Sequence, residues 1–372
     1  MRIKLKDAFE LQIGKTPSRN KSEYWNGVYK WVSISDIGNS RKYVYSTRES
    51  ITDKGIIDSG IKVIPKGTVI MSFKLSIGKT AITTEDMYTN EAIVAFIDKK
   101  KIPIDIDYLY YLCSGSNWMQ GVNKAVMGLT LNKATLSEKE INIPNIEIQK
   151  KCAGNLDKID RIIDLKKQQL DQLDLLVRSL FIEMFGDLGE DIFGDGLKLL
   201  KDVCQINPKK DNYIANIKDF LVSFVPMSAV SESGEIDTTI IKCYDEVKKG
   251  FTSFIEDDVL FAKITPCMEN GKGAIAKKLK NSVGFGSTEF HVLRPLKDKS
   301  NSAWIYYLTS FSHFRKEAEI KMTGSAGQRR VPASFLENYK IALPSLELQN
   351  KFANFVRGTD KSKYSSFSHL SA

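Results

Sequence analysis

Residues 141–151 read "INIPNIEIQKK", and residues 341–351 read "IALPSLELQNK". Ile, Pro, Glu, Gln and Lys recur in one register, 200 positions apart, and most other positions are apolar in both copies. Working backwards from each phrase, more matches follow in the same order. "LKDAFELQI" (5–13) pairs with "LKDVCQI" (200–206), and "VSISDI" (32–37) with "VPMSAV" (225–230). "GTVIMSFKLSIGKTAI" (67–82) pairs with "DDVLFAKITPCMENGKGAI" (257–275). "TNEAIVAFI" (89–97) pairs with "STEFHVLRP" (287–295), and "YLYYL" (108–112) with "WIYYL" (304–308). Each match alone is weak, but five in order, closed by Pro-x-x-Glu-x-Gln, mark a duplicated domain. The period is far too long for a solenoid. Within each copy, short β-rich runs alternate with Gly- and Asn-containing turns and an aromatic helical segment follows, so each copy reads as an α+β globule.

Between the copies the pattern changes. Leu156, Ile159, Ile163, Lys166, Leu170, Leu173, Val177, Leu180 and Met184 recur at alternating spacings of 3 and 4. All but Lys166 are apolar, which is the seam of a coiled coil. Pro144 stands before this stretch and Gly186 after it, as suits the two ends of a helix. About 39 residues at ~1.5 Å rise would span roughly 58 Å. The sequence therefore divides into a first globular domain (1–146), a long helix (147–186), a second globular domain (187–346) and a second, shorter helix (347–372). Two related halves on two helices predict a pseudo-two-fold arrangement with the helices packed antiparallel.

A chain of 372 residues suits two domains with an element between them. Net charge is +9, which fits a polyanionic partner without requiring one. The first globular domain carries +6 of it, the long helix is neutral, and the remaining segments carry +1 and +2. No apolar run approaches the roughly 18 residues of a membrane span, and the opening "MRIKLKDAFELQ" is too charged for a signal peptide. The five cysteines (113, 152, 204, 243, 267) form no CxxC pair, so neither a disulfide framework nor a zinc site is expected, and a reducing cytoplasm fits best.

Catalytic signatures are missing. "GKT" occurs at 14–16 and 78–80, but a phosphate-binding loop needs a glycine where Phe9 and Phe73 stand. There is no HExxH, GxSxG or GxGxxG, and no Asn/Asp-Pro-Pro-aromatic tetrapeptide of the kind used to methylate a base amino group. "DEVKK" (245–249) is a poor nuclease match of a kind common by chance. The expectation is a binder or scaffold.

"GKTPSRNKSEYWNGVYKWVSISDI" (14–37), "VLFAKITPCMENGKGAI" followed by "GFGSTEFHVLRP", "GSAGQRRVP" (324–332) and both Pro-x-x-Glu-x-Gln phrases resemble target-recognition domains of the specificity subunit of type I restriction–modification enzymes. The resemblance runs along essentially the whole chain. It implies a non-catalytic DNA reader, each domain reading half of a split asymmetric site while the helices act as a ruler. Methyltransferase subunits would dock on the helical region and a restriction subunit would be a further partner. S-adenosylmethionine, ATP and magnesium would belong to those partners and not to this chain. Two divergent readers fit an asymmetric site, because identical readers related by a two-fold would demand a palindrome. A ~58 Å helix also suits readers one or two DNA turns apart, at roughly 34–36 Å per turn.

Lys15, Ser18 and Arg19 lie on a Pro-containing turn that could approach DNA, although the same pattern fits a solvated connecting loop. Gln328, Arg329 and Arg330 combine the residue types that most often read adenine and guanine, beside the alternative of two exposed arginines. Lys74 and Lys263 follow corresponding strands, and Lys133 is placed in the first copy's counterpart of the Gln-Arg-Arg loop; all three are phosphate-contact candidates. Trp25 and Trp31 could stack on a base, but core packing is the stronger expectation. Carried over to the second helix, the seam gives Phe352, Val356, Thr359, Lys363, Ser366 and Leu370, and it decays after Val356. The second helix thus reads as a truncated one. Phe352 and Val356 should cover Val177–Met184, leaving Leu156, Ile159 and Ile163 for a methyltransferase subunit or a second copy of the chain. The competing expectations are a coiled-coil scaffold that does not touch DNA, and a stand-alone nuclease or methyltransferase.

Overall fold

The fold was obtained as a computed structural model. It describes residues 1–118, 131–186, 193–209, 219–325 and 327–368, with side chains through 361 in the last segment. Two compact units emerge, Met1–Leu165 and Lys166–Ala372, and the division falls inside the long central helix.

In the first unit a five-stranded sheet has the order Phe9–Ile13, Ile93–Asp98, Val69–Ser72, Thr80–Thr83, Tyr43–Val44. A second sheet sets Trp25–Val32 between Glu49–Ile51 and Tyr88–Thr89. The middle strands of the larger sheet are buried on both faces. Val69, Met71, Val94 and Phe96 enter one apolar cluster, while Ile70, Ile93 and Ala95 enter another. That two-sided burial is why "TVIMSF" reads as a continuous apolar run rather than an alternating one.

The second unit repeats the plan. Its first sheet runs Cys204–Ile206, Phe290–Pro295, Val259–Ala262, Gly273–Ile275, and its second runs Ile241–Cys243, Leu221–Val225, Val283–Gly286, Thr252–Ile255. In both units the second sheet contains one parallel pairing, Trp25–Val32 with Tyr88–Thr89 and Leu221–Val225 with Val283–Gly286. The register corrects one part of the repeat. Val69 faces Phe96 and Val259 faces Leu293, so matching "TNE" to "STE" by letters slips the strand by one position.

The twice-written phrase closes each copy. Ile141 pairs with Ile3, and Ile341 pairs with Lys198, so each globule ends beside its own beginning. The chain then turns into a helix: Ile146–Phe185 in the first copy, Leu346–Ser368 in the second. The side chains of Asn145 and Ser345 cap these helices by accepting from the backbone N–H of Ile148 and Leu348. The repeated glutamine is a buried staple. Gln149 is fully buried; its Oε1 accepts from the Asp105 N–H at 2.8 Å, and its Nε2 donates to Pro103 O and Pro144 O at 3.0 and 2.9 Å. Gln349 is equally buried and does the same with the Asn301 N–H, Lys299 O and Pro344 O. Asp105 and Asn301 are the N-caps of the aromatic helices Ile106–Gly115 and Ser302–Ser310. One amide thus fixes the start of the exit helix to the start of the aromatic helix in each copy.

The central helix ends at Gly186, whose φ of 59° suits a left-handed cap. Its seam behaves differently along its length. In the second unit Val177, Phe181, Phe185, Phe352 and Val356 share one buried cluster, with Leu180 and Met184 packed against it. Phe352 and Val356 are therefore where the spacing predicts, but the Phe352 ring meets Phe181, Tyr307 and Phe185, at 5.2, 5.2 and 5.5 Å, none of which is in the seam. Leu170 and Leu173 are half-buried. In the first unit the apolar stripe is not the buried one. Leu156 and Ile159 are 39% and 51% exposed and Ile163 is half-buried, while the neighbouring stripe of Ala153, Asp157, Asp160 and Asp164 faces the globule. Tyr111 donates to Asp157 and Asp160, Lys42 pairs with Asp157 and Asp107, and Arg41 pairs with Asp164. Polar ties hold that half of the helix, so its hydrophobic stripe is left outside. Of the later positions, Thr359 is buried, whereas the side chains of Lys363, Ser366 and Leu370 lie outside the described residues. No described helix is long and apolar enough to cross a membrane.

Candidate nucleic-acid interface

In each unit the two central strands run on past their last ladder pair, and the residues that follow face each other. The Phe73 N–H donates to Ala92 O at 2.9 Å, and the Lys263 N–H donates to Glu289 O at 2.9 Å. Lys74 and Glu91 therefore stand one rung beyond the rung that Lys263 and Glu289 occupy. Each lysine sits at the open end of its sheet beside a glutamate, and the "GKTPSR" and "GQRR" loops supply the arginines nearby.

In the first unit the backbone N–H groups of Gly14 and Lys15 donate to Ile93 O and Thr89 O, which lays the "GKTPSR" turn against the "TNE" turn. Thr16 donates its hydroxyl to Glu91, and this bond, helped by the charges of Lys74 and Arg19, holds the Glu91 carboxyl below the usual range. Thr16, Arg19 and Lys74 thus act on one carboxylate, with Lys15 and Ser18 on the same turn. Lys15 is exposed and its ammonium reaches Ser59 O; Ser18 is exposed and its carbonyl accepts from the Trp25 indole N–H. Arg19 is already committed. Both of its terminal nitrogens bond to Glu49, and its guanidinium lies 3.9 Å over the Trp25 ring. Trp25 meets the buried Trp31 edge-on at 5.1 Å, and the Trp31 indole donates to Lys15 O. Trp31 is core, as expected, and Arg19 lies over this aromatic pair with its two terminal nitrogens on Glu49.

In the second unit, Thr323–Ser325 and Gly327–Arg330 fold back on each other as a hairpin. Thr323 and Arg330 exchange backbone hydrogen bonds of 2.9 and 2.8 Å, and Gly324 turns with φ of 121° where a side chain would meet Gln328 O. The Thr265 N–H donates to Arg329 O, and the Val331 N–H to Lys263 O, so the hairpin is bonded to the lysine-bearing strand end. Beneath it His291 is buried. Its Nε2–H donates to Val331 O at 2.8 Å and its Nδ1 accepts from the Asn207 amide; burial lowers its pKa. Arg330 is held in a fork: its Nε and Nη2 each donate to Glu289 at 2.9 Å, and its Nη1 donates to Gln328 O at 3.0 Å. Hydrogen bonding to Arg330 keeps the Glu289 carboxyl below its usual range, with Lys263 adding to the field. Arg329 donates to Glu319 O at 2.7 Å, and the Gln328 side chain is exposed.

Lys133 is placed elsewhere than expected. It is the first residue of a short helix, Lys133–Ser137, capped by Asn132, and by position it matches Ala333 of the corresponding helix in the second unit. The first copy's counterparts of Gln328, Arg329 and Arg330 are Gly128, Leu129 and Thr130, which lie outside the described residues. Sequence reading named these lysines and arginines as candidates but not Glu49, Glu91 and Glu289, the carboxylates beside them. The only signal for the last two was the shared "E" of "TNEA" and "STEF".

No group of three or more metal-ligating side chains occurs among the described residues. Cations grouped at strand ends around carboxylates, with an aromatic pair alongside, can contact phosphates and base edges.

The family described as type I restriction modification DNA specificity domain matches residues 1–175 and again 197–364. The specificity subunit of the type I restriction enzyme EcoEI from Escherichia coli is 45% identical over 147 residues, 39% of this chain and 24% of that protein. The EcoAI specificity subunit of the same organism is 42% identical over 156 residues, so the chain spans about a quarter of the length of either relative. The MjaIX specificity subunit of Methanocaldococcus jannaschii is 25% identical along 95% of this chain and 85% of that protein. A chain in a solved structure concerning complex assembly and conformational transition of the type I R-M system shares the fold with a TM-score of 0.60, at 16% identity over 99% of this chain and 93% of that one. The S subunit of a type I system from M. genitalium does so at 0.52, with 13% identity over 100% and 92%. Because the specificity domain is matched in both halves of the sequence, the chain belongs to the type I restriction modification DNA specificity domain family.

Proposed function

We propose that this chain is the DNA-reading specificity subunit of a type I restriction–modification enzyme, and that its two units read different halves of one asymmetric target. The observation that carries the reading is the duplication itself: one fold twice, with cations collected at the same end of the central strands but on different rungs and from different loops. Phosphate contacts from lysines such as Lys15, Lys74 and Lys263 would give affinity, and loop residues would give specificity. The chain contributes no catalysis of its own. Adenine methylation and ATP-dependent cleavage belong to methyltransferase and restriction subunits that it brings to the site, along with their S-adenosylmethionine, ATP and magnesium. The setting is the cytoplasm, where the DNA and these partners are.

Selection from a random duplex library by the purified chain tests this. Enrichment of a two-part, non-palindromic motif, with affinity falling steeply as salt rises from 50 to 200 mM, is expected. No binding at 50 mM salt would favour a scaffold that does not touch DNA, and methyl transfer by the chain alone would favour an enzyme.

A further inference from the structure

The fork between Arg330 and Glu289 leaves a defined set of donors. A guanidinium has five N–H groups. Arg330 spends the Nε–H and one Nη2–H on Glu289 and one Nη1–H on Gln328 O, so one N–H remains on each terminal nitrogen. The side chain is 40% exposed and Glu289 is 24% exposed, so the pair is open to a ligand but fixed at its base. Glu289 is in turn built into the sheet end, its carbonyl accepting from the Lys263 N–H at 2.9 Å. Arg19 is held differently: Glu49 bonds its two terminal nitrogens end-on, and its guanidinium is stacked 3.9 Å over the Trp25 ring.

We infer that Glu289 is a positioning residue for DNA reading: it holds the Arg330 guanidinium so that its terminal nitrogens meet the O6 and N7 of a guanine in the half-site read by the second unit. The inference rests on the DNA-reading proposal above. Arginine bidentate to guanine is the commonest specific contact in the major groove, and it demands a fixed fork. A free arginine of this length would lose much of its discrimination to side-chain freedom and to neighbouring phosphates. The carboxylate supplies both the fixing and a local repulsion of phosphate. The first copy has Leu129 and Thr130 at the matching sequence positions, so this reader is peculiar to the second unit.

The test uses the full chain and the duplex selected from the random library. Affinities for that duplex and its single-base variants are measured for wild type, Glu289→Gln, Arg330→Lys and the double variant, at several salt concentrations, with the melting temperature of each. The expected result is one guanine position in one half-site at which Arg330→Lys and Glu289→Gln each lower discrimination about tenfold. The double variant should be no worse than Arg330→Lys alone. The salt slope of Glu289→Gln should match that of wild type. Three results would overturn the inference. One is tighter binding of Glu289→Gln to every duplex with a steeper salt slope, which would make the glutamate a lock on a phosphate-binding arginine. Another is additive losses, which would mean that Glu289 acts apart from Arg330. The third is unchanged discrimination in Glu289→Gln at an unchanged melting temperature. If wild type selects no motif at all, the DNA-reading proposal fails instead, and that outcome is separate from these three.

Discussion

At the scale of single residues, the side chains that fix the candidate reading loops are the ones with no motif. Arg329 and Arg330 stand out in "GQRR" because arginine pairs are conspicuous, but a lone glutamate 41 positions earlier carries no pattern that links it to them. His291 is equally silent in the sequence, yet it is buried under the hairpin and donates to Val331 O. Its burial gives the second unit a pH dependence whose sign can be derived. The folded-state pKa is depressed below the 6.5 of a free histidine, so between the two values the unfolded chain binds a proton that the folded chain refuses. Stability from keeping this ring neutral is present above pH ~6.5 and is lost as pH falls through the folded pKa. Glu289 works in the same direction at lower pH: its depressed pKa contributes stability above the usual carboxyl value, and this is lost as pH falls through the folded one. Thermal unfolding of wild type and His291→Gln between pH 7.5 and 5.5 checks this. Wild type should lose stability on acidification, and the variant should lose less. Parallel curves would mean that the histidine is not kept neutral by the fold.

At the scale of elements, the duplication was legible because topology leaves its mark on spacing: strands buried on both faces, turns between them, a helix after each copy. The central helix was legible from end to end, Ile146–Phe185 against an expected 147–186, because heptad spacing and flanking Pro and Gly are local signals. Which face it buries was not, since that depends on what the rest of the chain offers. Lys42 and Tyr111 come from loops and helices far along the sequence, and they select the aspartate stripe over Leu156 and Ile159. The glutamine of the repeated phrase was visible as a letter, but its role was not, because two of its three partners lie 44 to 50 residues earlier. Replacing Gln149 by Met keeps the volume and removes the side-chain partner of the part-buried Asp105 N–H and of the Pro103 and Pro144 carbonyls. Each such group should cost about 1–3 kcal/mol, and Gln349→Met should do the same to the second unit. Chemical unfolding read by aromatic fluorescence measures both, and a loss below about 0.5 kcal/mol in either would show that the staple is dispensable. The exposed stripe carries another prediction. Leu156 and Ile159, with Ile162 and Leu165 at 50% and 54% exposure, fit a protein partner better than water. The double variant Leu156→Asp/Ile159→Asp should fold normally yet fail to assemble with the methyltransferase subunit in native mass measurement. Assembly equal to that of wild type would remove this stripe from the interface.

At the scale of the whole molecule, the consequence of duplication is independence. Each unit closes its own N- and C-terminal strands on each other, fills both faces of its own sheet and staples its own exit helix with its own glutamine. The polar groups that shape the candidate reading loops are likewise separate sets: Lys74, Glu91 and Thr16 in one unit, Lys263, Glu289 and Arg330 in the other. Groups without shared partners add in free energy to within about 0.3–0.5 kcal/mol. Lys74→Ala should therefore weaken binding to all duplexes and flatten the salt slope by about one unit, as the loss of one phosphate contact does. Arg330→Lys should instead lower discrimination at one base in one half-site and leave the salt slope alone, because the charge remains. In the double variant the two losses should simply sum. Competition binding on the selected duplex, repeated on duplexes changed in one half-site at a time, reads all of these quantities. A coupling well above 0.5 kcal/mol would show that occupation of one unit alters the other. The two copies would then act as one linked reader, and changes made in one could not be used to alter one half of the target at a time.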